Sequence, residues 1–113
     1  MINTLIKGDI VVVKFPFASS LKYKARPAVI ISTNYYNKHS RGTVLIMAIS
    51  SQVESKLYIE KDIEFWKEAG LLKTSIFKAS IATIEENFII QRLGSLEQKD
   101  RITLDNILNN ICN

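Results

Sequence analysis

Cysteine and histidine are almost absent from this sequence, with one of each among 113 residues. Cys112 alone forms neither an internal disulfide nor a cysteine-based metal site, and this usage fits a reducing compartment. His39 alone cannot supply a zinc site that needs several histidines, and no cysteine stands beside an apolar strand to act as a thiol nucleophile. We therefore expect a cytoplasmic protein without a histidine- or cysteine-bound metal.

Phosphate-binding glycine loops and long hydrophobic runs are also missing. Neither GxxxxGK[ST] nor GxGxxG occurs, so nucleotide triphosphate and dinucleotide chemistry lack their phosphate cradles, and we predict no cofactor. The first apolar run is broken at Lys14 and Pro16, so neither secretion nor a membrane span is expected. Arg, Lys, Ser, Thr, Tyr and backbone donors remain, and these groups suit the binding of phosphate oxygens.

Acidic residues are scarce in the first half of the chain. Residues 1–56 contain eight Lys or Arg and two Asp or Glu, and residues 57–113 contain seven and nine, which gives +6 and −2 toward the net charge of +4. The basic excess can attract a polyanion if its members share one surface. Because no contiguous basic run exists, ordinary solvated lysines are the alternative explanation.

Short β-branched apolar runs between turn residues dominate the pattern. Six strands are predicted, three of them with weaker signals: Ile10–Phe15, Ala28–Ile31 and Val44–Ile49, then Leu57–Glu60, Ser75–Ile84 and Phe88–Arg92. Short strands at hairpin spacing in so small a chain favour a closed or nearly closed antiparallel barrel, which leaves no exposed edge. A single domain over residues 1–113 is predicted, because this length supplies one core and not two.

Two segments have helical rather than strand character. Lys61–Ala69 mixes charged residues with Trp66 and other apolar residues, and Gly70 follows where glycine commonly ends a helix, so we predict a short middle helix. Trp66 is expected in the core. From residue 97 to 112 the apolar residues approximate a 3.6-residue period, which predicts a C-terminal helix packed on the sheet. These residues are Ile102, Leu104, Ile107, Leu108 and Ile111.

Polar side chains stand where two of the predicted strands begin and end. Pro27 pushes Arg26 toward an extended backbone, so its guanidinium is held in one direction and can donate to a phosphate bidentately. Alternation puts every second residue from Val44 to Ser50 on one face, so Ser50 ends that face. If the two strand ends are neighbours, Arg26 and Ser50 can flank one phosphorus. The alternative is a surface ion pair for Arg26 and a turn cap for Ser50.

Five segments resemble, in order, the PemK/MazF family of toxin endoribonucleases from type II toxin–antitoxin systems. They are GDIVVVKFPF, RPAVIIS, AISSQ, AGLLKTSIFKASIATIE and LGSL. The resemblance covers about residues 8–96, and the final helix is also in its expected place. Each segment alone is a weak signal, whereas the ordered set is specific.

The resemblance implies a mainly β, SH3-like barrel of the CcdB/PemK type that acts as an mRNA interferase. Such a protein is a homodimer that cleaves single-stranded RNA at short sequences without a metal, and an antitoxin neutralises it. The arginine of the family's RP motif falls on Arg26, and the catalytic serine or threonine falls on Ser50, with Ser51 as the alternative. Some members carry an acidic residue before the RP motif, but ASSLKYKA has none, which leaves the general base unassigned.

The chemistry of RNA cleavage suits these residues. RNA supplies its own nucleophile, the 2′-OH, so an enzyme needs to align it, move protons and stabilise a phosphorane. We assign the phosphorane charge to Arg26 and a hydrogen bond to a non-bridging oxygen to Ser50. His39 or a water molecule is the candidate base. RNA contacts are predicted at Lys22, Tyr23 and Lys24, where cations flank an aromatic ring, and at Ser51 and Gln52, where Gln52 can read a base edge.

Partners are predicted from size and charge as well as from the resemblance. A barrel this small leaves much apolar surface, and a two-fold dimer would cover more of it while joining two basic first halves. That surface should attract an acidic antitoxin segment that competes with RNA. Two other functions stay open: a non-catalytic CcdB-like toxin, and a basic barrel that binds nucleic acid without cutting it.

Overall fold

The structure is a computed structural model that describes residues 5–16 and 23–112, with the side chains of Phe15, Pro16, Tyr23 and Lys24 left out. Among the described residues, six strands and two α-helices follow one another along the chain. The strands are β1 (Asp9–Pro16), β2 (Tyr23–Ile30), β3 (Thr43–Ser50), β4 (Lys61–Asp62), β5 (Ile76–Glu85) and β6 (Ile89–Ser95). The helices are α1 (Asn34–His39) and α2 (Gln98–Cys112).

The strands form one antiparallel sheet in the order β4-β5-β3-β2-β1-β6. Strands β5 and β6 lie four positions apart in this order, so about 19 Å would separate them in a flat sheet. Their connection is the single 3₁₀ turn Glu86–Phe88, and a link this short spans at most about 14 Å. The sheet therefore curls until β5 and β6 approach each other, which is the predicted, nearly closed barrel.

Alternation along the strands divides the apolar side chains between two clusters. One face carries Val11, Ile30, Ile46 and Ile84, and the curled sheet covers this cluster together with Phe88. The opposite face carries Ile10, Val29, Met47 and Phe77, and it packs against Leu104 and Ile107 of α2. Both faces of the sheet are thus buried, which explains why the strands read as nearly continuous apolar runs.

The C-terminal helix is confirmed, but its buried stripe is narrower than predicted. Leu104 and Ile107 are buried and Leu108 packs against them, whereas Ile102 and Ile111 are exposed. No helix within the described part of the chain is long and apolar enough to cross a membrane.

The predicted helix at Lys61–Ala69 is wrong. Residues 61–62 pair with β5 instead, and the Ile63 N–H donates to the Ser75 carbonyl. The remainder forms successive turns with bonds of unequal span, Phe65 to Ala69, Lys67 to Gly70 and Trp66 to Leu71. Trp66 packs against the core, as predicted.

Two further boundaries differ from prediction. Leu57–Glu60 is a turn rather than a strand, because the Glu60 side chain accepts from the Leu57 N–H at 2.8 Å and the Glu60 N–H donates to the Leu57 carbonyl. A short helix that was not predicted, α1, forms at Asn34–His39. Thr33 caps it by accepting the Tyr36 N–H at 3.2 Å.

Candidate functional site

Strands β2 and β3 bring the two predicted catalytic residues to one place. Their pairing runs as far as Ala28 with Ala48, and Arg26 and Ser50 each lie two residues beyond that pair on the same side of it. Arg26 is exposed and Ser50 is half-buried. The two residues therefore lie on adjacent strands, as predicted. Arg26 does not begin its strand, however, because β2 already pairs with β1 from Tyr23 onward, five residues before the predicted start at Ala28.

A pocket of about 780 Å³ opens at this end of the sheet. Strands β2, β3 and β5 and the turn after Ala69 supply its polar and apolar walls. The polar and charged lining residues are Arg26, Ser50, Ser51, Gln52, Lys73, Ser75, Lys78 and Ser80. The apolar ones include Val12, Pro27, Ile49, Leu71, Leu72 and Leu93. A lining of cations, hydroxyls and apolar side chains suits a ligand with both phosphates and flat rings.

The charge of the pocket is of one sign. Arg26, Lys73 and Lys78 line it, and no Asp or Glu is among its described lining residues. None of these three cations has a carboxylate within 4.0 Å in the described part of the chain, so the predicted alternative of an ion pair for Arg26 is not observed there. Unscreened like charges around a concave surface raise the local concentration of a polyanion.

The source of that charge differs from the sequence-based expectation. The basic first half contributes Arg26, but Lys7 instead pairs with Asp105 of α2 at 2.8 Å. The other two cations, Lys73 and Lys78, come from the acidic second half. The net charge of each half of the chain therefore did not predict which cations line the pocket, because folding brings together residues that are distant in sequence.

The Ser50 side chain both stabilises a turn and lines the pocket. Its Oγ accepts the Gln52 N–H at 3.1 Å, which shapes the exit from β3. The hydroxyl hydrogen remains available to donate into the pocket. Ser51 and Gln52 are exposed and also line the pocket, so this short segment presents three polar side chains to a ligand.

Strand β5 lines the pocket with a bulge that sequence reasoning missed. Phe77 pairs with Ile49 and Ile81 pairs with Met47, so the three residues 78–80 lie opposite Ala48 alone. Such a bulge changes the direction of its side chains. Lys78 and Ser80 of this bulge line the pocket. No local signal marks a bulge inside the β-branched run of β5.

Glu60 stabilises the bulge from below the surface. Its side chain is buried, with 4% of the residue exposed, and its two carboxylate oxygens accept the N–H groups of Leu57 and Ala79, each at 2.8 Å. Burial raises the pKa of Glu60, but these two donors and the nearby charge of Lys78 lower it by more, so the pKa lies below its ordinary value. The group is thus held as a carboxylate at neutral pH.

Two glycines allow the turn wall of the pocket to approach β6. Gly70 has φ +97°, and a Cβ there would lie 2.5 Å from the Leu93 carbonyl oxygen. A Cβ on Gly94 would meet the Ala69 carbonyl oxygen at closer than van der Waals contact. Asp100, which is 1% exposed, fixes the same turn by accepting the Glu64 and Phe65 N–H groups at 2.9 and 2.8 Å.

The remaining predicted residues are either outside the described part of the structure or outside the pocket. Lys22 lies outside the described residues, and so do the side chains of Tyr23 and Lys24. His39 lies in α1, stacked on Tyr35 with 4.5 Å between ring centroids, and does not line the pocket. Within residues 5–16 and 23–112, no three His, Cys, Asp or Glu side chains are grouped to hold a metal ion.

Fold and pocket together define a small β-barrel protein with a cationic site at its strand ends and a C-terminal helix. Residues 6–112 match the family described as the PemK-like, MazF-like toxin of type II toxin–antitoxin systems. The chain belongs to this family, which confirms the resemblance seen in the sequence. No curated protein matches the chain.

Solved structures share the fold at low sequence identity. An endoribonuclease in complex with its cognate antitoxin, and an endoribonuclease, both from Mycobacterial species, each give a TM-score of 0.72 at 16% identity. Both matches cover 96% of this chain, and they cover 93% and 90% of the respective relatives. The Mycobacterium tuberculosis toxin MazF-mt6 gives 0.70 at 21% identity, over 90% of this chain and 93% of its own. The mainly β, MazF-like fold is thereby confirmed.

Proposed function

We propose that this chain is a toxin that cleaves single-stranded RNA as a metal-independent endoribonuclease. Its substrate in the cell is mRNA. The observation that carries the proposal is the pocket beside Arg26 of β2 and the end of β3, which is lined by three cations and four serines and by no carboxylate among the described residues. A polyanion with exposed bases fits such a surface, because cations follow the phosphates and apolar walls receive the rings. Family membership supports the same reading.

Cleavage begins with attack by the 2′-OH of the RNA on the adjacent phosphorus. The 2′-oxygen forms a bond to phosphorus, the bond to the 5′-oxygen breaks, and the products end in a 2′,3′-cyclic phosphate and a 5′-OH. Arg26 stabilises the negative charge of the phosphorane with its paired N–H donors, and Ser50 donates to a non-bridging oxygen. Both groups sit on strands, so their positions are set before the substrate arrives.

Few groups in the pocket can transfer a proton. The described lining contains no His, Asp or Glu, so water or the pocket's own side chains take the 2′-OH proton and deliver a proton to the departing 5′-oxygen. Arginine is protonated at neutral pH and has to lose a proton before it can act as a base. We therefore assign Arg26 first to charge stabilisation.

The test is direct. Purified protein is incubated with a long single-stranded RNA in the presence of EDTA, and the RNA ends are mapped. We expect discrete cuts with 2′,3′-cyclic phosphate termini. RNA that stays intact at a high excess of protein would contradict the proposal and favour a non-catalytic CcdB-like toxin or a basic binding barrel.

The partners follow from the same surface. We propose a homodimer and an acidic antitoxin segment that lies over the cationic pocket and excludes RNA; one solved relative is described in complex with its cognate antitoxin. An acidic segment would compete with RNA for Arg26, Lys22 and Lys24. Because exposed charges drive the encounter, inhibition should weaken as salt rises.

Two measurements check the partners. Light scattering at micromolar protein should give twice the 12.8 kDa mass of the chain, and the monomer mass alone would contradict the dimer. Adding the acidic protein encoded beside this chain should stop RNA cleavage at low salt. Complex formation that leaves cleavage unaffected would contradict the competition.

A further inference from the structure

The bulge of β5 carries a cation that the cleavage chemistry does not use. Lys78 and Ser80 line the pocket, and three bulged residues stand opposite Ala48 alone. Lys78 is exposed and has no carboxylate within 4.0 Å among the described residues. A lysine ammonium in this setting has its donors free for an anion.

Lys78 faces the same ligand as Arg26 from the other side of β3. Strand β3 lies between β2 and β5, so Arg26 and Lys78 stand two strand spacings apart, about 10 Å between backbones. Both side chains are long enough to reduce that separation toward the spacing of successive phosphates. Ser50 lies on the strand between them. A nucleic-acid backbone can therefore cross β3 with consecutive phosphates over the two cations.

The bulge is held rigidly. Glu60 accepts the Ala79 N–H at 2.8 Å with one carboxylate oxygen, and its other oxygen accepts the Leu57 N–H. Ala79 is the residue between Lys78 and Ser80, so the buried carboxylate fixes the backbone from which both side chains extend. A rigid backbone lowers the entropy lost when a lysine binds.

We propose that the Lys78–Ser80 bulge is a second phosphate-binding element, which holds the RNA phosphate next to the scissile one, and that Glu60 is its positioning residue. The inference rests on the proposed RNA substrate. Lys78 acts in RNA binding and Arg26 in the chemical step. Substitution of Lys78 should therefore weaken binding, and substitution of Arg26 should slow cleavage.

The binding test uses a fluorescent pool of 2′-O-methyl oligonucleotides, which present phosphates and bases but no nucleophile. Anisotropy is recorded over a range of salt concentrations for the wild type, Lys78→Gln and the matched control Lys38→Gln, whose lysine lies on α1 outside the pocket. Lys78→Gln should weaken binding about tenfold, because one charge-assisted contact is lost. It should also reduce the salt slope by about 0.7. Equal binding by Lys78→Gln and the control would overturn the inference.

Cleavage of long RNA under single-turnover conditions separates this inference from the proposed function. Lys78→Gln should raise the protein concentration for half-maximal rate about tenfold and leave the maximal rate within about threefold. A fall in the maximal rate alone would overturn the binding role. If the wild type binds the oligonucleotides through Lys78 but cuts no RNA, the proposed function fails and the second phosphate element stands.

A double-mutant cycle tests Glu60. If Glu60 acts through the bulge, Glu60→Gln weakens oligonucleotide binding in the wild type and has no further effect in the Lys78→Gln background. Additive losses would contradict the positioning role. Thermal unfolding of each variant identifies any that fail to fold, and Glu60→Asp, which keeps the charge, is the second variant for that case.

Discussion

The two ends of strand β3 differ in how they use their polar groups. At the Thr43 end, Ser40 and Thr43 exchange side-chain and backbone hydrogen bonds, and Asn37 donates to the Leu5 carbonyl at 3.2 Å. At the Ser50 end, hydroxyls and cations line an open pocket. The strand is eight residues long, so roughly 24 Å separate its ends. The polar groups at the Thr43 end bond to local partners and stabilise the fold, whereas those at the Ser50 end line a pocket that is open to a ligand.

The same contrast appears in the charged residues. Lys38 and His39 end α1 near the Thr43 end, where basic groups favour the C-terminus of a helix. Arg26, Lys73 and Lys78 have no such local role, and together they repel one another across the pocket. Holding three like charges in one concavity costs stability, and binding of the proposed polyanionic ligand would offset that cost.

The largest expected effect is that of Arg26→Ala at the pocket end. Losing a preorganised donor to the phosphorane should lower the cleavage rate by about 10²-fold or more, while the unfolding temperature stays near that of the wild type because the side chain is exposed. The control is Lys38→Ala at the other end, which should cleave at the wild-type rate. Equal rates for both variants would contradict the assignment of the site.

Ser50→Ala should have the next largest effect. The lost hydrogen bond to a charged oxygen corresponds to about tenfold in maximal cleavage rate, and Ser51→Ala should change the rate less. The pair is compared under single-turnover conditions with the same RNA. A loss with Ser51→Ala and none with Ser50→Ala would shift the catalytic hydroxyl by one residue.

Glu60→Gln should lower the free energy of unfolding by about 1–3 kcal/mol at pH 7, since one buried N–H loses its acceptor. The pKa of Glu60 is lower in the folded protein than its ordinary value, so the carboxylate stabilises the fold fully above the unfolded pKa of about 4.3 and loses this effect as pH falls through the folded pKa. Denaturant unfolding of both proteins from pH 7 to 3 should show the difference shrinking. A difference independent of pH would contradict the ionised contact.

The smallest effect is expected at the Thr43 end of β3. Thr33→Ala removes the N-cap of α1 and should cost about 1 kcal/mol of unfolding free energy, with RNA cleavage at the wild-type rate. Thermal unfolding and the cleavage assay are run on the same preparation. A cleavage defect in a folded Thr33→Ala protein would show that the two ends are not independent.

Local pattern accounted for much of this molecule. The β-branched runs predicted β1, β3, β5 and β6 to within three residues, and the C-terminal periodicity predicted α2, whereas β2 begins five residues before its predicted start. Arg26 and Ser50 were predicted as a pair because each adjoins an apolar run, and the antiparallel pairing of β2 with β3 places both beyond the last pair, Ala28 with Ala48.

What the sequence did not reveal depends on contacts between distant residues. The sequence after Lys61 has helical character, but the segment forms turns. Pairing with β5 and a hydrogen bond from the Glu64 N–H to the Asp100 carboxylate, 36 residues away, determine this conformation. Lys78 was missed because Glu60, 19 residues from Ala79, holds the bulge that brings it to the pocket. Neither contact leaves a periodic signal within one element.

The most direct test of the central claim is a map of where RNA touches the two ends of β3. Backbone amide resonances of ¹⁵N-labelled protein are followed while 2′-O-methyl RNA, which cannot be cleaved, is added. We predict shifts concentrated at Arg26, Ser50 to Gln52, Lys73 and Lys78, with the amides of α1 and Thr43 unchanged. Shifts centred on α1 and Thr43, or none at all at saturating RNA, would contradict the claim that the open end of the barrel is the RNA site.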